Sequence, residues 1–149
     1  MYIRRTIAYT IFMRYLGIDY GSKKVGLALS DEEGSMGFPH KIISNTPRLP
    51  DGVCALIAKE NVGAVVIGDS RNFAGKENAI AAPARALGEH ITNRCGIPVF
   101  YEPEVLTSVE ARRMPVKQEK SRAPLARGRV DSSAAALILT SYLTRQERR

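Results

Sequence analysis

The chain has 149 residues, 44% hydrophobic and 25% charged, a balance that supports one domain of ordinary size with a real core and excludes wholesale disorder. No stretch approaches the roughly 20 apolar residues of a bilayer-spanning helix, which argues against a membrane partner. The formal net charge is +7. It is carried by residues 112–149, where 10 Lys/Arg face 3 Asp/Glu, whereas residues 1–111 hold 12 of each. This is the footprint of a polyanion-binding surface or of a solvated basic tail.

Residues 1–12 are basic and partly apolar, without the cleavage pattern of a secretory leader. They are expected to be an N-terminal extension or an upstream start, and the domain is expected to occupy residues 13–149. Tyr15 to Asp19 and Val25 to Ser30 are short runs rich in aliphatic residues. Between them Tyr20-Gly21-Ser22-Lys23-Lys24 predicts a hairpin turn. A third strand is expected to include Lys41 to Ser44, completing a meander. Asp51 is a candidate N-cap for a helix carrying Val53, Leu56 and Ile57. Gly63 to Gly68 is the continuous apolar run of a strand buried on both faces. A glycine-containing loop from Asp69 to Lys76 leads to an Ala-rich helix over about 78–93, in which Pro83 predicts a late start or a kink.

A fifth strand is expected at Ile97 to Tyr101. Thr107-Ser108-Val109-Glu110 has the form of a capping box and predicts a short helix ended by Met114-Pro115. Residues 115–128 read as an exposed, mobile basic loop. A last helix is expected over about 131–146, packing Ala135, Leu139 and Tyr142 inward. The order predicts an α/β fold: a mixed five-stranded sheet, a three-strand antiparallel meander followed by αβαβα, with helices on both faces. Cys54 and Cys95 have no metal-type spacing and are expected to be reduced thiols of a cytoplasmic protein.

Strand ends and helix starts converge at one edge of such a sheet. Asp19 closes the first strand, Glu102 and Glu104 follow the fifth, and Asp131 opens the last helix. Carboxylates are the preferred ligands of Mg²⁺, which also accepts phosphate oxygens, and two such ions can promote in-line phosphodiester hydrolysis. Each acid also has a plain alternative: a turn former at Asp19, a surface residue at Glu104, an N-cap at Asp131. No G-x-S-x-G elbow or G-x-x-x-x-G-K-[ST] loop is present.

The segment Leu16-Gly17-Ile18-Asp19-Tyr20-Gly21, followed by Lys23-Lys24-Val25-Gly26-Leu27-Ala28-Leu29-Ser30-Asp31, resembles the opening of the YqgF/RuvX family. The resemblance continues through Val65-Val66-Ile67-Gly68, Asn72 and Gly75, returns at Leu106 to Ala111, and closes with Val130 to Leu139. It implies an RNase H-like fold and catalytic, metal-holding acids at Asp19, Glu104 and Asp131. The family's usual Asp-Glu-Arg triplet is here Pro103-Glu104-Val105, so one acid and an arginine able to grip phosphate are absent. Glu102 is a candidate substitute for the missing acid.

The function implied by the resemblance is a nuclease dependent on Mg²⁺ or Mn²⁺, acting on structured RNA in maturation of the 16S ribosomal RNA precursor. Resolution of four-way DNA junctions, usually by a homodimer rather than a monomer, is the alternative within the same chemistry. A binding module of the same fold without turnover is the alternative outside it, motivated by Pro103 and Val105. Lys23, Lys24, Asn72, Arg112, Arg113, Lys117, Lys120, Arg122, Arg127 and Arg129 are the expected nucleic-acid contacts.

Overall fold

A computed structural model of the protein describes residues 13–69, 80–103 and 132–147. Strands β1 (Arg14–Tyr20), β2 (Lys24–Ser30) and β3 (Gly37–Ser44) form the predicted antiparallel meander. Helix α1 (Leu49–Lys59) then leads to β4 (Val62–Asp69), helix α2 (Ala81–Cys95) to β5 (Val99–Pro103), and helix α3 is Ser132–Glu147. The five strands form one sheet in the order β3-β2-β1-β4-β5, with β4 parallel to both β1 and β5. The capping-box helix expected after Thr107 and the basic loop over 115–128 lie outside the described residues, as do residues 1–12. Among the described residues no helix is long and apolar enough to cross a membrane.

Strand alternation sends Leu16, Ile18, Val25, Leu27, Val65 and Ile67 to one face, where they pack with Leu49, Val53, Leu56 and Ile57 of α1 and Ala84, Leu87 and Ile91 of α2. Ala28 and Val66 point the other way and pack with Ala135, Ile138, Leu139, Tyr142 and Leu143 of α3. The two helical layers explain why β4 reads as an unbroken apolar run: both of its faces are covered. Helix α3 contacts all five strands, as expected from its continuous apolar stretch.

Several boundaries differ from the sequence reading for identifiable reasons. Helix α1 begins at Leu49 rather than after a cap at Asp51, because Pro50 is tolerated in the first helical turn. Helix α2 starts at Ala81, which puts Pro83 in its first turn and leaves no kink to make. It ends on Gly96, whose φ of 73° gives the left-handed cap and whose N–H donates to the Thr92 carbonyl. Strand β3 runs from Gly37, well before Lys41. It is an exposed edge strand with a register shift opposite Leu27 and Ala28, and such a strand accepts Pro39. Strand β5 starts at Val99 and includes Glu102, so this acid lies within the strand rather than after it. Ile97 and Pro98 lead in from the Gly96 turn, with the Pro98 carbonyl accepting from the Val65 N–H.

The cysteines depart most from expectation. Cys54 and Cys95 are joined by a disulfide, their Cα atoms 6.3 Å apart, instead of standing as free thiols. They lie 41 residues apart in the chain, and only the packing of α1 beside α2 on one face of the sheet brings them together.

Helix α3 approaches the sheet closely at Gly17. A Cβ built there would stand 2.9 Å from both the Ala135 carbonyl oxygen and Leu139 Cβ. Neither neighbour is the end of a flexible side chain, so the added atom must displace α3 itself. Gly17→Ala is expected to lower the unfolding free energy by about 1–3 kcal/mol, read as a lower urea midpoint with an unchanged slope.

Candidate nucleic-acid cleavage site

Asp19 is the penultimate residue of β1, and alternation places it on the same face as Gly17, beneath α3. It is only 7% exposed. Its partner on β2 is Gly26. On the other side Ile18 pairs with Ile67, so the next residue along β4, level with Asp19, is Gly68. The buried carboxylate therefore stands between two strand positions that carry no side chain. Glycine at such positions is how a sheet lets a ligand approach its backbone. The first turn of α3 lies close by, since the Ala135 carbonyl touches the position of Gly17, one pleat from Asp19.

The hairpin beside Asp19 is held in shape by Asn45, just beyond β3. Its backbone N–H donates to the Lys23 carbonyl at 2.8 Å and its side-chain amide donates to the Gly21 carbonyl at 2.7 Å. Lys23 and Lys24 are exposed on this pinned turn. Lys24 pairs with Ser44 and, two residues from Gly26, shares the Asp19 face. The structure thus brings Asp19 and the two lysines to the same edge of the sheet.

Glu102 is level with Gly68 on β5, hence in the same row as Asp19 but two strands away, a spacing of about 10 Å. Its side chain is 1% exposed and faces α3. The carboxylate accepts from Ser141 Oγ at 2.7 Å and from the Arg145 guanidinium at 2.6 Å. The candidate substitute acid is thus engaged by two donors of α3. Asp69, the last residue of β4, falls on the opposite face and bonds Arg85 of α2 at 3.3 Å. Arg85 also lies 4.8 Å from the Tyr101 ring centroid, and burial raises the Tyr101 hydroxyl above its ordinary pKa. Sequence reading did not single out Asp69, and its orientation separates it from Asp19.

Glu104, Asp131, Asn72, Arg112, Arg113, Lys117, Lys120, Arg122, Arg127 and Arg129 lie outside the described residues. Among the described residues no group of three or more His, Cys, Asp or Glu side chains is arranged to hold a metal ion. Asp19 by itself has the attributes of a hard-metal ligand: a carboxylate, largely withdrawn from water, at a strand end flanked by glycines.

Comparison with known proteins agrees with this architecture. A protein of Anaeromyxobacter sp. (strain Fw109-5) named "Putative pre-16S rRNA nuclease" is 38% identical over 133 residues, covering 88% of this chain and 96% of the relative. A protein of the same name from Oenococcus oeni is 35% identical over 140 residues, covering 91% of this chain and 97% of the relative. Among solved structures, T. thermophilus RuvC in complex with a Holliday junction substrate superposes with a TM-score of 0.58 at 15% identity, covering 91% of this chain and 96% of that one. The fowlpox virus Holliday junction resolvase gives a TM-score of 0.52 at 13% identity, covering 90% of this chain and 99% of that one. These likenesses make the fold RNase H-like, as the family resemblance implies. The family model described as RuvX, Holliday junction resolvase, matches residues 13–145, and the chain belongs to that family.

Proposed function

We propose that the protein is a metal-dependent endonuclease that hydrolyses phosphodiester bonds in structured RNA, acting on the 5′ end of precursor 16S ribosomal RNA. The observation that carries this reading is the setting of Asp19. It is a buried carboxylate at the end of β1, between Gly26 and Gly68, beside the first turn of α3, in a chain whose relatives bear the name of a pre-16S rRNA nuclease. Asp19 would hold Mg²⁺ or Mn²⁺ together with Glu104, which follows β5 in the chain, and Asp131, which immediately precedes α3. Bound there, the ion supplies an activated water and neutralises charge on the scissile phosphate.

The chain's own residues supply binding and orientation. Gly26 and Gly68 add no side chain beside Asp19, and the exposed Lys23 and Lys24 would attract the neighbouring backbone. The sequence adds Asn72 in the segment after β4, and Arg112, Arg113, Lys117, Lys120, Arg122, Arg127 and Arg129 in the segment before α3. Contacts of this kind fix substrate position without reading sequence. With Val105 in place of the family's arginine, phosphate contact falls to these other cations.

A four-way DNA junction is the second candidate substrate, favoured by the description of the family model. Cleavage of precursor 16S ribosomal RNA and of a synthetic junction, measured side by side with Mg²⁺ or Mn²⁺, separates the two. Symmetric paired nicks on the junction by a dimer support the second reading, and cleavage of the RNA by a monomer supports the first. Tight binding of both substrates with no cleavage of either identifies a binding module. Asp19→Asn is expected to reduce metal-dependent cleavage more than roughly 100-fold, beyond the usual effect of removing an outer-shell partner, while its melting stays cooperative. Undiminished cleavage by this variant refutes the assignment.

Affinity is also expected to fall steeply with salt. In a titration over a series of KCl concentrations, replacing Lys23 and Lys24 by alanine should reduce the slope of log K against log salt by about 2, one for each lost phosphate contact. Fluorescence anisotropy with catalysis blocked by Asp19→Asn provides the measurement.

A further inference from the structure

Among the described residues, the large apolar side chains that stay more than a third exposed are Met36, Phe38, Ile42 and Phe100. Two of them, Phe38 and Ile42, lie on the edge strand β3 and belong to opposite faces of the sheet. Phe38 pairs with Leu29, which packs toward α1 and α2. Ile42 pairs with Gly26, and Gly26 with Asp19. Ile42 therefore stands in the Asp19 row, two strand spacings or about 10 Å away. Its neighbour Ile43 agrees with this direction, since that side chain packs into the opposite core. Ile42 itself is 45% exposed and belongs to neither core cluster.

The surroundings of Ile42 are polar and basic. The next pair along the same face is Lys24 with Ser44, both exposed. Lys23 is exposed on the adjoining turn, which Asn45 holds to the end of β3. A cationic edge attracts a phosphate backbone, but an aliphatic side chain gains nothing from phosphate. It gains from apolar surface withdrawn from water. Within a duplex the base faces are covered by their neighbours, and only an unpaired strand offers them. Pairing of β3 with a second copy of the chain is opposed by Pro39, Lys41 and the register shift between them, devices that blunt an edge strand.

We propose that Ile42 is a nucleic-acid contact, packing against an unpaired base of a single-stranded RNA segment whose phosphates lie along Lys23 and Lys24 beside Asp19. The proposal rests on the reading of the Asp19 edge as the cleavage site. It narrows the substrate to RNA that is unpaired next to the scissile bond.

The test uses the full chain without divalent cation, so that no substrate is cut. The probes are a fluorescein-labelled single-stranded RNA and the fully paired duplex of the same sequence. Ile42→Ala is expected to weaken binding of the single strand roughly 3- to 10-fold, as the loss of part of a buried aliphatic side chain does. Duplex affinity should be unchanged. The slope of log K against log salt should also stay as in wild type, because no phosphate contact is lost. Phe38→Ala, on the other face of the same strand, should alter none of these quantities. Both positions are half-exposed, so the melting temperatures should match wild type. The chain has no tryptophan, so Ile42→Trp places a single indole in the Asp19 row. Its fluorescence should be quenched as the indole stacks on a base of the single strand, while that of Phe38→Trp stays constant.

Wild-type affinity of Ile42→Ala for the single strand, equal weakening for both probes, or equal quenching at positions 38 and 42 would overturn the proposal and leave the cleavage site intact. A blue shift of the Ile42→Trp emission with protein concentration alone would assign the strand to self-association and overturn it too. If wild type binds neither probe at low salt, the reading of the Asp19 edge as a nucleic-acid surface fails, and the proposal fails with it.

Discussion

Helix α3 can lie on the middle of the sheet because β1 has no side chain at position 17. The Ala135 carbonyl and Leu139 Cβ occupy the space that any Cβ at Gly17 would fill, and the same Leu139 closes over Gly37 on β3. These approaches bring α3 onto the layer formed by Ala28 and Val66 and bury the helix's small and aliphatic residues. Everything on this face follows from that contact. The row that contains Asp19 lies one pleat beyond Gly17, on the face of the sheet that carries the helix.

The two faces of the sheet have different physical characters. Beneath α1 and α2 lies a larger, almost wholly apolar core, with the Cys54–Cys95 disulfide joining the two helices. Beneath α3 the packing is thinner and mixed with polar groups: Asp19 and Glu102 are both buried there, and Thr140, Ser141 and Arg145 bond the helix to the edge strands. A core of apolar contacts tolerates exchange among residues of similar volume. Hydrogen-bonded acids do not, because each bond specifies a direction and an unmatched buried charge is costly. The face that carries Asp19 is accordingly the one whose geometry is most narrowly defined.

Much of this was legible in the chain itself, because the strongest signals are local. The alternation around Asp19, the apolar run between Gly63 and Gly68 and the unbroken apolar stretch of α3 each reflect burial that a single element must satisfy; the structure places all three in the expected elements, with β4 reaching one residue beyond each glycine. The position of Asp19 at the end of the first strand follows from the same pattern. Boundaries were less legible where a tertiary contact overrides local preference. Strand β3 begins early because β2 pairs with it despite Pro39, and β5 extends through Glu102 because β4 offers partners that far.

The amino-acid sequence alone therefore determined the order of elements, the mixed sheet, the family and the residue types at the candidate site, since periodicity and motif spacing are properties of neighbouring residues. Only the tertiary structure decided that Cys54 bonds Cys95, that Asp69 faces away from Asp19 toward Arg85, and that Glu102 is held by Ser141 and Arg145. Each of these joins groups at least 16 residues apart in the chain. Nothing in local sequence encodes such distances; they are set by which helix lies on which face of the sheet, and how deeply.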